Sequence, residues 1–131
     1  MKKVLSIIMS LLMAFSLTAC GGETQNEEGM TKLGAIQLAE HPALDQSYEG
    51  FMAALKDGGY VEGENLKVDF KNAQGDPSNC ESIATKFVND KVDLILAIAT
   101  NAAQAAANAT KDIPIVLTAV TDPEYSGLVD T

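Results

Sequence analysis

Four short apolar segments, each with a turn behind it and helical periods in the intervals, constrain this chain more than any other feature. Val92–Ala99, apolar except for Asp93, suits a strand covered on both faces. Leu33–Leu38 is a second such run, Leu66, Val68 and Phe70 alternate as a strand, and Ile113–Val120 forms a fourth with Pro114 near its start. In the first interval Asp45 begins a stretch where Tyr48, Phe51, Met52 and Leu55 recur at helical spacing, and Gly58-Gly59 ends it. In the second, Asp76 is placed to cap a helix and Pro77 to fill its first position, where a missing N–H would have had no partner. Cys80, Ile83, Ala84, Phe87 and Val88 then share one face. In the third, Asn101–Thr110 is rich in Ala, the strongest helix former. Strand and helix alternating at about 30 residues per unit or slightly less predict an α/β domain: a doubly wound parallel sheet with helices on both faces.

Ahead of this domain the chemistry is different. Lys2 and Lys3 precede an apolar run from Val4 to Leu17, which falls short of the roughly 18 to 20 residues a membrane span requires. Charge, apolar core and small residues follow in the order of a secretory signal peptide. Leu17-Thr18-Ala19-Cys20 resembles the lipobox of bacterial lipoproteins, which implies cleavage before Cys20 and lipidation of its thiol. Two or more acyl chains anchor stably where one is marginal. The expected division is therefore residues 1–19 as leader, 20–30 as lipidated Cys20 and a polar tether, and 31–131 as the domain.

The formal charge of −9 becomes −11 once the leader takes Lys2 and Lys3 with it. Such an acidic surface disfavours nucleic acid and anionic headgroups, so contact with the membrane is expected through the lipid alone. With Cys20 assigned to the anchor, Cys80 has no disulfide partner and reads as a small core hydrophobe. His41 is the only histidine, which with Cys80 is too few ligands for a zinc site. Its local reading is a loop residue beside Pro42, hydrogen-bonded nearby. There is no GxSxG elbow, GxGxxG or GxxxxGK[ST], so neither catalysis nor a bound cofactor is expected.

In an open parallel sheet, ligands bind beyond the carboxyl ends of the strands. Here those ends are Ala39–Asp45, Asn72–Asp76, Thr100–Ala103 and Ala119–Pro123. Ile36-Gln37-Leu38-Ala39-Glu40-His41-Pro42-Ala43-Leu44-Asp45, Asn72-Ala73-Gln74-Gly75-Asp76, Lys91–Thr100 and Thr118–Pro123 resemble the solute-binding proteins of ABC importers, in the group assigned to tryptophan, tyrosine or related aromatic amino acids. The likeness runs from about Lys32 to the last residue. It implies the first lobe of a type I periplasmic-binding-protein fold, whose two lobes close on a ligand like a hinged clamp. It further implies extracytoplasmic capture of an amino acid for an ABC permease and its ATPase, with no bond made or broken. The expected contacts are His41, Leu44 and Asp45 after the first strand, Thr100, Asn101 and Ala102 after the third, and Thr118, Thr121 and Asp122 around the end of the fourth. Thr100 has the best physical support, since a helix N-terminus offers free N–H groups to a carboxylate; a purely structural cap is its other reading. A sensor module presenting a bound small molecule to a membrane receptor is the alternative function. Three Tyr, four Phe and no Trp identify no aromatic cage, so the solute is left open.

The chain departs from the family pattern at two places. Thr100-Asn101 stands where relatives commonly have Thr-Pro. The sequence stops at Thr131, where relatives continue into a hinge and second lobe, so the chain is expected to be an incomplete fragment.

Overall fold

The computed structural model describes residues 29–130. The expected leader, Cys20 and most of the tether lie outside the described residues, as does Thr131. Among the described residues, no helix is long and apolar enough to cross a membrane.

The order is β1 (Thr31–Gln37), α1 (Pro42–Asp57), β2 (Leu66–Asn72), α2 (Pro77–Asn89), β3 (Leu94–Ile98), α3 (Thr100–Ala109) and β4 (Ile115–Thr118). All pairings are parallel in the spatial order β2-β1-β3-β4. In register, Gln37 stands beside Asn72 on one side and Ile98 on the other. This is the expected α/β sheet with helices on both faces, and β4 is shorter than the apolar pattern from Ile113 to Val120.

Side-chain alternation divides the interior in two. Leu33, Ala35, Leu66, Leu96 and Ile98 face α1, where Leu44, Tyr48, Phe51, Met52 and Leu55 pack on them. Ile36, Ile95 and Ala97 face the other way, against Cys80, Ala84 and Phe87 of α2 and Ala102, Ala103, Ala105 and Ala106 of α3. Gly34 makes this second layer possible: a Cβ there would stand 2.5 Å from Cδ2 of the Phe87 ring. Only a residue without a side chain lets an aromatic ring lie directly on the strand. Small residues on α3 likewise let the helix approach closely, and Cys80 sits in this layer fully buried.

The helix starts follow local chemistry. Asp76 Oδ1 accepts from Ser78 N at 2.8 Å with Pro77 at the first position, as the sequence pattern requires. The first helix begins at Pro42 instead of Asp45, because His41 caps it: its Nδ1 accepts from Ala43 N at 3.2 Å.

Candidate ligand-binding site

The chain runs from β1 outward to β2 and from β3 outward to β4, so the strand order reverses between β1 and β3. Their carboxyl ends form the crevice where open α/β sheets take ligands. His41, Leu44 and Asp45 reach this edge from the β1–α1 connection, Thr100, Asn101 and Ala102 from the start of α3, and Thr118, Thr121 and Asp122 from the end of β4.

Of the three helices among the described residues, α3 alone begins without a side-chain cap, since Ala99 occupies the cap position. By helix geometry the N–H groups of Thr100, Asn101 and Ala102 have no intrahelical acceptor. The first such bond runs from Ala103 N to Ala99 O, 3.0 Å. Ala99 has φ 83° and ψ 158°, a region essentially reserved for glycine. Gln74, Ala119 and Asp122 also have positive φ, at 58°, 54° and 47°. Among the described residues, four of the five non-glycine residues with positive φ therefore lie past the carboxyl ends of strands; Lys91 is the fifth. Strain of this kind gathers where a backbone is held for a purpose other than its own stability.

Thr100 is the first residue of α3, not its cap. Its Oγ1 accepts from Thr121 N at 3.2 Å, tying the loop after β4 to the start of the helix. Thr118 O accepts from Ala99 N at 3.0 Å, a second tie across the same edge. Asp122 is occupied locally, its Oδ1 accepting from Tyr125 N at 3.0 Å. The Ala102 methyl is fully buried in the α2–α3 layer, so only its backbone N–H belongs to the helix end. Asn101 lines a groove of about 370 Å³ with Glu81, Gln104, Asn108 and Lys111, between α2 and α3. Leu44 is half-buried on the α1 layer. His41 is exposed, its Nδ1 committed to the cap.

Sequence reasoning passed over one residue of this edge. Gln37 ends β1 only 1% exposed, its Nε2 donating to Ala39 O at 2.9 Å and to Asp45 Oδ1 at 2.7 Å. A polar residue closing the apolar run that starts at Leu33 was the available signal.

A larger cavity, about 510 Å³, opens at the amino ends of β1 and β2 among Lys32, Lys67, Asp69, Lys86 and Asp90. Ion pairs run through it: Asp69 meets Lys71 at 3.0 Å and Lys86 at 2.7 Å, and Lys86 also bonds Asp90. Partial burial pushes the Asp69 carboxyl up, but the two lysines more than offset it and hold it below its ordinary range. Its place at the wrong end of the sheet and these internal pairings set it apart from the crevice.

A parallel α/β lobe with its uncapped helix and strained connections at the switch point has the architecture in which ligands are taken at the carboxyl edge of a sheet. More narrowly, residues 32–131 match the family described as ABC transporter substrate binding protein, and the chain belongs to that family. A tyrosine-binding protein of Clostridioides difficile (strain R20291) is 52% identical over 98% of this chain and 40% of its own length. The ligand-free, open structure of a substrate binding protein with adhesive properties from Clostridium difficile is 57% identical. It superposes with a TM-score of 0.76 over 78% of this chain and 35% of its own. A Streptococcus pneumonia ABC domain solved in complex with L-Trp is 40% identical, with a TM-score of 0.73 over 76% of this chain and 34% of its own. The chain thus spans 40% of its curated relative and about a third of these solved relatives.

Proposed function

We propose that this chain supplies one lobe of an extracytoplasmic solute-binding component that captures an aromatic amino acid, tyrosine or tryptophan, for an ABC permease and its ATPase. The observation that carries the reading is 52% identity to a tyrosine-binding protein across nearly the whole chain. The uncapped start of α3 supports it: its free N–H groups and positive dipole end suit the ligand carboxylate. Asp45 supplies the opposite charge for the ammonium, and Leu44 offers apolar contact. His41, Asn101, Thr118, Thr121 and Asp122 complete the rim. No covalent chemistry and no cofactor are involved.

Cys20 carries the lipid that holds the protein on the outer face of the cell membrane after the leader is cut. Replacing Cys20 with Ser is expected to release the protein from the membrane fraction or leave it unprocessed, and unchanged attachment would remove the anchor from the proposal.

The binding test is a calorimetric titration of L-tyrosine and L-tryptophan into residues 21–131 joined to the remaining part of the Clostridioides difficile relative. Micromolar affinity is expected, and Thr100→Val is expected to weaken it; failure to bind any aromatic amino acid would overturn the reading. Residues 21–131 alone leave open the ligand surface that a facing lobe would cover, where such sites bury ~70 to 90% of a ligand. Losing half of about −8 kcal/mol corresponds to a dissociation constant of about a millimolar. Micromolar binding by the monomeric single lobe would show instead that it is a complete binding module.

A further inference from the structure

Gln37 is the only buried polar side chain among the described residues. Both of its amide hydrogens are spent, one on Ala39 O and one on the Asp45 carboxylate. This fixes which way the amide points, since turning it over would set its oxygen against two other oxygens. The consequence is that Gln37 Oε1 lies buried with no hydrogen-bond partner. Native interiors rarely leave such an atom unpaired, and an apolar residue here would avoid the problem.

The arrangement gains its sense at Asp45. This residue stands in the first turn of α1, on the face of the sheet shared by Leu33, Ala35 and Gln37, and at the end where β1 adjoins β3. The bond to its Oδ1 is charge-assisted and spans eight residues of sequence, so it holds the carboxylate in one orientation against the end of the strand. Its second oxygen has no partner among the described residues. Backbone bonds keep the support in place: Ala73 N donates to Gln37 O at 2.8 Å and Gly75 N to Leu38 O at 2.7 Å.

We propose that Gln37 is a positioning residue that sets the requirement for a ligand amino group, by aiming the free oxygen of Asp45 at a ligand ammonium. The inference rests on the reading of the ligand as an amino acid, and the experiment separates the two. In the two-lobe form described above, three ligands are titrated into the parent and into Gln37→Met, which keeps the side-chain length and removes the donor. L-Tryptophan has both charges, tryptamine only the ammonium, and indole-3-propionate only the carboxylate. Gln37→Met is expected to weaken L-tryptophan and tryptamine about tenfold or more, as loss of an oriented charge contact would, and to leave indole-3-propionate within about twofold. Equal losses for all three ligands would mean that Gln37 merely supports the fold, and unchanged affinities would mean that it does nothing for the site; either overturns the proposal. A parent that binds none of the three overturns the amino-acid reading instead. Should Gln37→Met fail to fold, the side-chain amide resonance of Gln37 in the parent is followed by NMR. It is expected to move with tryptamine and stay still with indole-3-propionate, and an amide silent to both sinks the idea.

Discussion

On one face of the sheet α2 and α3 bring seven of their own residues to burial, whereas on the other α1 buries none. The first face is built from small side chains around one large ring, so helices and strands approach closely and little can be changed without opening a void or forcing a clash. The second relies on Leu44, Tyr48, Phe51, Met52 and Leu55, each half-buried, over a floor of aliphatic residues. Tyr48 leans on Phe70 with ring centroids 4.6 Å apart, at the solvent-exposed limit of β2. Val116, on the same side of β4, is 37% exposed, so α1 does not cover the whole sheet. The more completely buried packing is thus on the α2–α3 side, while the N-terminus of α1, which brings Asp45 to the crevice, lies on the less buried one.

The sharpest way to break this contrast is to remove one aromatic ring from each face. Phe87→Ala is expected to destabilise the fold by about 3 to 5 kcal/mol, because a fully enclosed ring leaves a cavity. Phe51→Ala, at a half-buried position, is expected to lose only about 1 to 2 kcal/mol. Equilibrium denaturation in urea measures both, and equal losses would refute the division into tight and loose faces. Next comes Gly34→Ala, which forces a methyl against the Phe87 ring and is expected to destabilise by about 1 to 3 kcal/mol. Most of that penalty should vanish in a Phe87→Leu background; a penalty that persisted there would place its origin outside this contact.

A smaller effect of opposite sign is expected at the crevice. Ala99→Gly relieves a backbone conformation that a Cβ opposes, and is expected to stabilise by about 1 kcal/mol after the greater freedom of glycine in the unfolded chain is deducted. A lowered thermal midpoint would contradict the assigned strain. The smallest effect concerns the ion pairs at the amino ends of β1 and β2. Because the folded Asp69 carboxyl is held below its ordinary range, its contribution is present above the unfolded value near about 4 and fades as pH falls through the folded value. Denaturation of the parent and of Lys86→Met from neutral pH to about pH 2 should show a shallower acid loss in the variant. Parallel curves would mean that solvent screens the pair completely, as it does for many exposed pairs.

The fold was legible in the chain because its signals are local. Asp76-Pro77 spells cap and first helical residue, and the apolar run ending at Ala99 is long enough for a strand and too short for a helix. The start of α1 was misplaced at Asp45, since His41 is an uncommon cap and its neighbour Pro42 obeys the same rule as Pro77. Thr100 carries the residue type of a cap, but the backbone turn at Ala99 moves it one place into the helix and turns its hydroxyl to Thr121. That displacement depends on φ and ψ, which composition does not encode. Gln37 was hidden for another reason: inside an apolar run a single polar residue carries little weight in a periodicity count, although burial makes it the most informative residue there.

The central position of β1 carries a consequence for the order of events in folding. It is the first of the described strands to leave the ribosome, yet it needs β3 as well as β2, and Lys32 N donates to Asp93 Oδ2 across 61 residues of chain. Until β3 is available, one edge of β1 remains without its native partner, although α2 with Phe87, the ring that covers Gly34, is already made. Distant pairing of this kind slows folding and prolongs the exposure of an unpaired edge. The sheet can therefore form on both sides of β1 only after the chain through Ile98 has been made, which places its assembly late in the synthesis of the lobe.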